Sequence, residues 1–187
     1  RLNHTLHGYT HTADSVYQAI IDWQKQHAYS VDKSQIVFTH NVANGFFMAV
    51  SALTRPGDSV LVQLPIYPPF IKAPKLHDRT LVEAPLQLVD NRYEIDFEAF
   101  EKAIVDNSVK LFLLCNPQNP SGRFWQESEL HTLAEICLRH NVIIVSDEIH
   151  SDLIFNRNKN IPIPTISEEI ANNSITMFAP SKTFNVA

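Results

Sequence analysis

Two stretches decide how this chain folds: VKLFLLCNPQNPSG, Val109–Gly122, and VIIVSDEIH, Val142–His150. Each opens as an apolar run too short for a helix and stops abruptly in polar residues. The runs are apolar at successive positions instead of alternating, the pattern of strands buried on both faces of a parallel sheet. Between them Leu130, Leu133, Ala134 and Cys137 recur at helical spacing, so the segment reads strand, helix, strand. The same alternation extends outward. Strand Val60–Leu64, a proline-punctuated helix Pro69–Leu76, strand Thr80–Glu83 and a helix from Asp96 with Phe97, Phe100 and Ile104 on one face precede it. Earlier still, Val16, Ile20, Trp23 and His27 follow a helical period after the start signal Thr12 and Asp14. Ile36–Thr39 then reads as a short buried strand, and a helix over Val42–Leu53 closes at Arg55-Pro56-Gly57-Asp58. Towards the end of the chain, strand Ile175–Phe178 runs into Ala179-Pro180-Ser181-Lys182. The expectation is an α/β fold, a mostly parallel sheet with helices on both faces.

Composition removes several function classes. Fifteen basic and 20 acidic side chains among 187 residues give a net charge of −5, which argues against a nucleic-acid-binding surface. The longest apolar runs, Phe46–Val50 and Leu111–Cys115, are far below the roughly 20 residues that cross a bilayer, so no membrane partner is expected. With only four glycines, at Gly8, Gly45, Gly57 and Gly122, neither a dinucleotide fingerprint nor a phosphate-binding P-loop can be written. Cys115 and Cys137 sit in apolar segments and read as buried free thiols of a cytoplasmic protein. His4, His7 and His11 are interrupted by Gly8 and Thr10, and no metal site is expected from them.

In an open parallel sheet, ligands bind beyond the carboxyl ends of the strands. One strand delivers Asn119 there, the next Asp147 and His150, and the last Ser181 and Lys182. The strand ending at Leu64 delivers Tyr67. The start of the helix at Val42 and Ala43 offers free backbone N–H groups, which favour an anion. An amide, a carboxylate, an amine, an aromatic ring and an anion cradle together suit a flat, phosphorylated, cationic ring aldehyde, which describes pyridoxal phosphate. Taken singly, each residue also has a structural reading: Lys182 as a solvated charge, Asp147 and Glu148 as a helix N-cap pair, Tyr67 as a packed turn aromatic, His150 as a rim histidine.

The motifs Asn116-Pro117-Gln118-Asn119-Pro120-Ser121-Gly122, Ser146-Asp147-Glu148-Ile149-His150-Ser151-Asp152 and Pro180-Ser181-Lys182-Thr183-Phe184-Asn185 resemble the large domain of fold type I pyridoxal-phosphate enzymes, the aspartate aminotransferase superfamily. Within it they are most similar to the cystathionine beta-lyase-like carbon-sulfur lyases. The resemblance implies that Lys182 bonds the cofactor aldehyde and later moves the substrate's alpha proton, and that Asp147 pairs with the pyridine nitrogen. It implies that Asn119 donates to the phenolic oxygen and Tyr67 stacks on the ring. The backbone of Val42 and Ala43 and the hydroxyl of Ser181 would hold the phosphate. His150 stands where aminotransferases usually have tyrosine, and Tyr9 resembles a tyrosine that reaches the site of the partner subunit in a homodimer. Asn41 stands where glycine or serine is common, and Ala179 and Pro180 where a phosphate-binding serine is frequent. Family chains are about twice this length, so 1–187 is expected to be a partial large domain without the N-terminal arm and C-terminal small domain. The implied reaction is alpha,beta-elimination on a sulfur-containing L-amino acid. An aminotransferase, a non-catalytic regulatory module that keeps the cofactor site, and a phospho-receiver-like domain are the rivals. For the last of these, the acidic pair comes too late in the chain.

Overall fold

The computed structural model describes residues 11–155 and 158–186, and these fall into two compact units divided between Phe38 and Thr39. In the first unit, helix α1 (Asp14–Lys25) begins after Ala13, and a 3-10 turn (Lys33–Gln35) follows. Lys33 Nζ donates to Asp14 Oδ1 at 2.5 Å, joining the turn to the helix. The strand expected over Ile36–Thr39 does not form. These residues pair with no strand, and Val37 and Phe38 are 79% and 48% exposed. The apolar run that suggested a strand is used locally instead: the Phe38 ring meets Tyr17 of α1 edge-on at 5.3 Å.

The second unit carries the expected α/β architecture. Its elements are α2 (Val42–Leu53), β1 (Ser59–Leu64), α3 (Pro68–Leu76), β2 (Thr80–Pro85), β3 (Gln87–Val89), β4 (Arg92–Glu94), α4 (Phe97–Asp106), β5 (Leu111–Cys115), α5 (Glu127–Arg139), β6 (Ile143–Asp147), α6 (Glu168–Asn172), β7 (Ser174–Met177) and α7 (Pro180–Thr183). Five strands form one parallel sheet in the order β2-β1-β5-β6-β7. The antiparallel hairpin β3–β4 was not expected. It turns at Asp90 and Asn91, both at positive φ, which such residues tolerate in a tight hairpin.

Strand alternation sorts the core into two layers. Leu61, Val82, Phe112, Leu114 and Ile144 face α4, α5 and α6; Val60, Val62, Leu111, Leu113 and Val145 face α2 and α3. Ring pairs anchor each layer, Phe100 with Phe112 at 5.0 Å on one side and Phe46 with Phe70 at 4.7 Å on the other. Each such side chain contributes about 1.5–3 kcal/mol by leaving water. Among the described residues no helix is long and apolar enough to cross a membrane.

Candidate active site

The strand order reverses between β1 and β5: the chain steps outward from β1 to β2 and then returns to β1's other side. Such a switch point opens a crevice beyond the strand ends. Gln118 bridges it, with its Nε2 donating to the Pro65 carbonyl at 2.7 Å. This fixes the turn that presents Tyr67, which is 44% exposed at the start of α3. On the other side Asn119 follows β5, its N–H directed to Cys115 Sγ at 3.4 Å. The loop is held from below by Trp125, whose Nε1 donates to the Cys115 carbonyl at 3.0 Å. Arg123 lies over the Trp125 ring and pairs with Glu129.

β6 ends in Asp147, level with Cys115 of β5 and Met177 of β7. Its main chain is pinned on both sides: its carbonyl accepts from Asn116 N–H at 3.0 Å, and the next N–H, of Glu148, donates to the Met177 carbonyl at 2.8 Å. The Asp147 side chain is 7% exposed. Oδ1 accepts from Ile149 N–H at 3.1 Å, and no cation pairs with the carboxyl among the described residues. Burial pushes its pKa up to about 6, yet at neutral pH it still ionises, leaving a buried negative charge without a counterion. His150 is held below the ordinary histidine range, first by burial and then by the charge of Lys182, so those two side chains are close enough to interact.

Lys182 stands within the single-turn helix α7 after β7, and it is exposed. Thr183 of the same turn donates Oγ1 to Asp152 Oδ2 at 2.6 Å, tying α7 to the segment that follows β6. Helix α2 is capped by Asn41, whose Oδ1 accepts from Asn44 N–H at 2.8 Å. That leaves the N–H groups of Val42 and Ala43 without an acceptor among the described residues, as a helix start requires. Gly45 lets this first turn approach β7. A Cβ at Gly45 would meet Met177 Sδ at 3.0 Å and Thr39 Oγ1 at 3.4 Å. The anion cradle therefore lies beside the strand that leads to Ser181 and Lys182.

Tyr67, Asn119, Asp147 and Lys182 thus occupy successive strand ends along one rim. A cavity of about 400 Å³ takes in Asn119 and His150 with Phe124, Leu153 and Phe155; Asp147, Tyr67 and Lys182 do not line it. Tyr9 lies outside the described residues, as do His4 and His7. The donor set fits a phosphorylated pyridine aldehyde: a buried uncompensated carboxylate for a ring N–H⁺, an amide for an oxygen, an amine for an aldehyde and free helix N–H groups for a phosphate. Sequence reading gave no site role to Asn116, Gln118 and Asn160 and took Glu148 only as half of a helix N-cap pair; all four are buried polar residues around the strand ends. The one available signal was the density of amides and acids directly after fully apolar strands.

Known proteins share the sequence and fold of this chain. Cystathionine beta-lyase PatB of Bacillus subtilis (strain 168) is 45% identical over 188 residues, covering all of this chain and 49% of that protein. The crystal structure of cystalysin from Treponema denticola, which contains a pyridoxal 5'-phosphate cofactor, superposes with a TM-score of 0.94 at 37% identity, over 97% of this chain and 46% of that one. A PLP-bound C-S lyase from Staphylococcus hominis gives a TM-score of 0.93 at 32% identity, over 99% and 48%. The chain spans about half the length of the curated relatives it matches. The model of aminotransferase class I and II matches residues 1–187, and with the parallel sheet and the rim of strand-end residues in place, the chain belongs to that family.

Proposed function

We propose that the protein is a pyridoxal-phosphate-dependent carbon-sulfur lyase. It would act on a sulfur-containing L-amino acid of the cystathionine or cysteine type and, with one water, yield pyruvate, ammonia and a thiol. The observation that carries this reading is Asp147: a buried carboxylate with no cation, on a central strand end, on the same rim as an exposed amine. A bound cationic ring supplies the missing charge. When bound, pyridoxal phosphate contributes an aldehyde that condenses with amines and a protonated ring that withdraws electrons from the substrate's alpha carbon.

The chain's own groups do the rest. Lys182 would hold the cofactor's aldehyde and would move the proton at the substrate's alpha carbon. Asp147 keeps the ring nitrogen protonated by offering a carboxylate inside a low-dielectric site. Asn119 donates to the ring oxygen, Tyr67 covers a ring face, and the Val42 and Ala43 N–H groups with the Ser181 hydroxyl hold the phosphate. His150, held below the ordinary histidine range by burial and by the charge of Lys182, stands beside that lysine on the rim. In the same reading the 187 residues are part of a cofactor-binding large domain. The protein is a cytoplasmic homodimer in which Tyr9 reaches the partner subunit's site, and nucleic acid and membrane are not partners. The two free, buried thiols support a reducing compartment.

An aminotransferase is the second reading, favoured by the family whose model matches the chain. The two part on one measurement. With L-cystathionine as substrate, the full-length protein should release pyruvate in the absence of any 2-oxo acid. Turnover that depends strictly on an added 2-oxo acid would assign it to the aminotransferases.

A further inference from the structure

Glu148 follows Asp147 and points into the protein instead of the crevice. It is 2% exposed and gathers donors from three segments. Ser146 Oγ donates to Oε1 at 3.0 Å, Ile163 N–H to Oε1 at 3.0 Å and Asn160 Nδ2 to Oε2 at 2.8 Å. The Asn116 amide lies against it as well, and Asn116 Nδ2 donates to the Ile161 carbonyl at 2.9 Å. The carboxyl therefore sits where the end of β6, the loop after β5 and the 160–163 segment meet.

These three donors, with the Asn116 side chain that also favours the charged form, would by themselves suit an ionised carboxylate. Two other observations point the opposite way. No cation pairs with Glu148 among the described residues, and Asp147 beside it is itself acidic. The cluster also contains two buried acceptors without donors, Asn116 Oδ1 and Asn160 Oδ1. An acceptor-only carboxylate cannot satisfy them, whereas a carboxylic acid has one O–H to give. Orphaned buried acceptors are costly, so the proton that fills one is favoured by the same burial that disfavours the charge.

We propose that Glu148 is a positioning residue held as the neutral acid, donating its proton to the amide oxygen of Asn116 or Asn160 and so fixing the loops that present Asp147 and Asn119. Burial, opposed only in part by its hydrogen bonds, pushes the group up to about 8, in keeping with that state. The protonation state rests on the two orphaned acceptors and on burial without a cation among the described residues; the positioning role rests on the function proposed above.

The test uses the full-length protein, first without cofactor. Infrared difference spectra between the parent and Glu148→Gln should show a protonated-carboxyl carbonyl band that the substitution removes near neutral pH. Glutamine is neutral and offers an acceptor oxygen together with N–H donors for an orphaned amide oxygen, so Glu148→Gln should come nearest the parent's melting temperature at about pH 4. The gap should open above about pH 4.5, where the unfolded chain's carboxyl ionises, grow as pH rises towards about 8, and level off beyond it, where the folded-state group also gives up its proton. A carboxylate band in place of the acid band, or a Gln variant less stable than the parent across this range, would overturn the protonation state. With cofactor added, Glu148→Gln should keep the parent's visible absorbance and pyridoxal-phosphate affinity, while Glu148→Ala should weaken affinity on the order of tenfold or more. If the Ala variant does not fold, Glu148→Asp, which retracts the carboxyl by one methylene, takes its place. Unchanged affinity in the variant that shortens or removes the group would overturn the positioning role. A parent that binds no cofactor while still showing the acid band would instead remove the proposed function and leave the protonation state intact.

Discussion

Asp147→Asn should stabilise the cofactor-free protein while crippling the loaded one, and the size of the first effect follows from the burial of the carboxyl. In the folded chain its pKa rises from the ordinary 3.8 to about 6, chiefly because ionisation inside the protein loses hydration that the single N–H of Ile149 only partly replaces. A raised carboxyl pKa means that the folded state holds the proton more tightly than the unfolded chain does. The group's contribution to stability is therefore fully present below about pH 4 and is lost as pH rises through about 6. The difference between the two pKa values corresponds to about 3 kcal/mol at pH 7 and above. Asparagine keeps an acceptor for Ile149 N–H and carries no charge, so it escapes this cost. Urea unfolding of the cofactor-free full-length protein should show the variant more stable by about 2–3 kcal/mol near pH 8 and close to the parent near pH 4. With cofactor and substrate, the variant should lose turnover by about 100-fold or more, since an amide cannot hold a proton on the ring nitrogen. A variant that is no more stable than the parent at high pH would refute the claim that the carboxylate is buried without a counterion, and with it the main support for a cationic ring at this position.

The remaining expectations are briefer. Borohydride treatment of the loaded protein should fix the cofactor on Lys182, as read by peptide mapping; label on another lysine removes Lys182 from its role. Gly45→Ala should destabilise by about 1–2 kcal/mol despite alanine's better helix propensity, because its Cβ would press on Met177 Sδ at 3.0 Å. Thermal melts should show the loss largely recovered when Met177→Ala is added, and additive effects would locate the strain elsewhere. Phe112→Ala, emptying the centre of one core layer against Phe100, should cost about 3–5 kcal/mol in denaturant unfolding; a cost below about 1 kcal/mol would mean that the layer repacks.

The sheet was legible because its strands are short apolar runs separated by helical periods, and burial on both faces leaves no other reading. β5 is the clearest case, five residues buried without a break. The misreading of Ile36–Thr39 has the same origin. A run of apolar and β-branched residues satisfies strand propensity, but a strand also needs a neighbour's backbone, and propensity carries no information about one. Phe38 found an aromatic partner in α1 instead. The hairpin β3–β4 was missed for the complementary reason: its strands are three residues each and largely exposed, so no buried alternation marks them, and only Asp90-Asn91 announces the turn.

For the candidate site, legibility depended on which way a side chain faces. Lys182, Asp147, Asn119 and Tyr67 sit at strand ends, and the location of strand ends follows from the apolar pattern. Asp147 and Glu148 show where that inference stops. They are adjacent acids after the same strand, and nothing in composition or spacing tells them apart. Backbone alternation sends one towards the crevice, where it lacks a cation, and the other into a cluster of amides, where Ser146, Asn160 and Ile163 meet it. The two carboxyls are then perturbed in the same direction by burial, to about 6 and about 8, with opposite consequences at neutral pH. The first is largely ionised and calls for an external cation; the second keeps its proton and closes an internal network. An acid pair that sequence reads as one feature is thus divided by the pleat of the strand into a carboxyl on the crevice side, where the proposed cofactor would meet it, and a carboxyl turned into a cluster of amides.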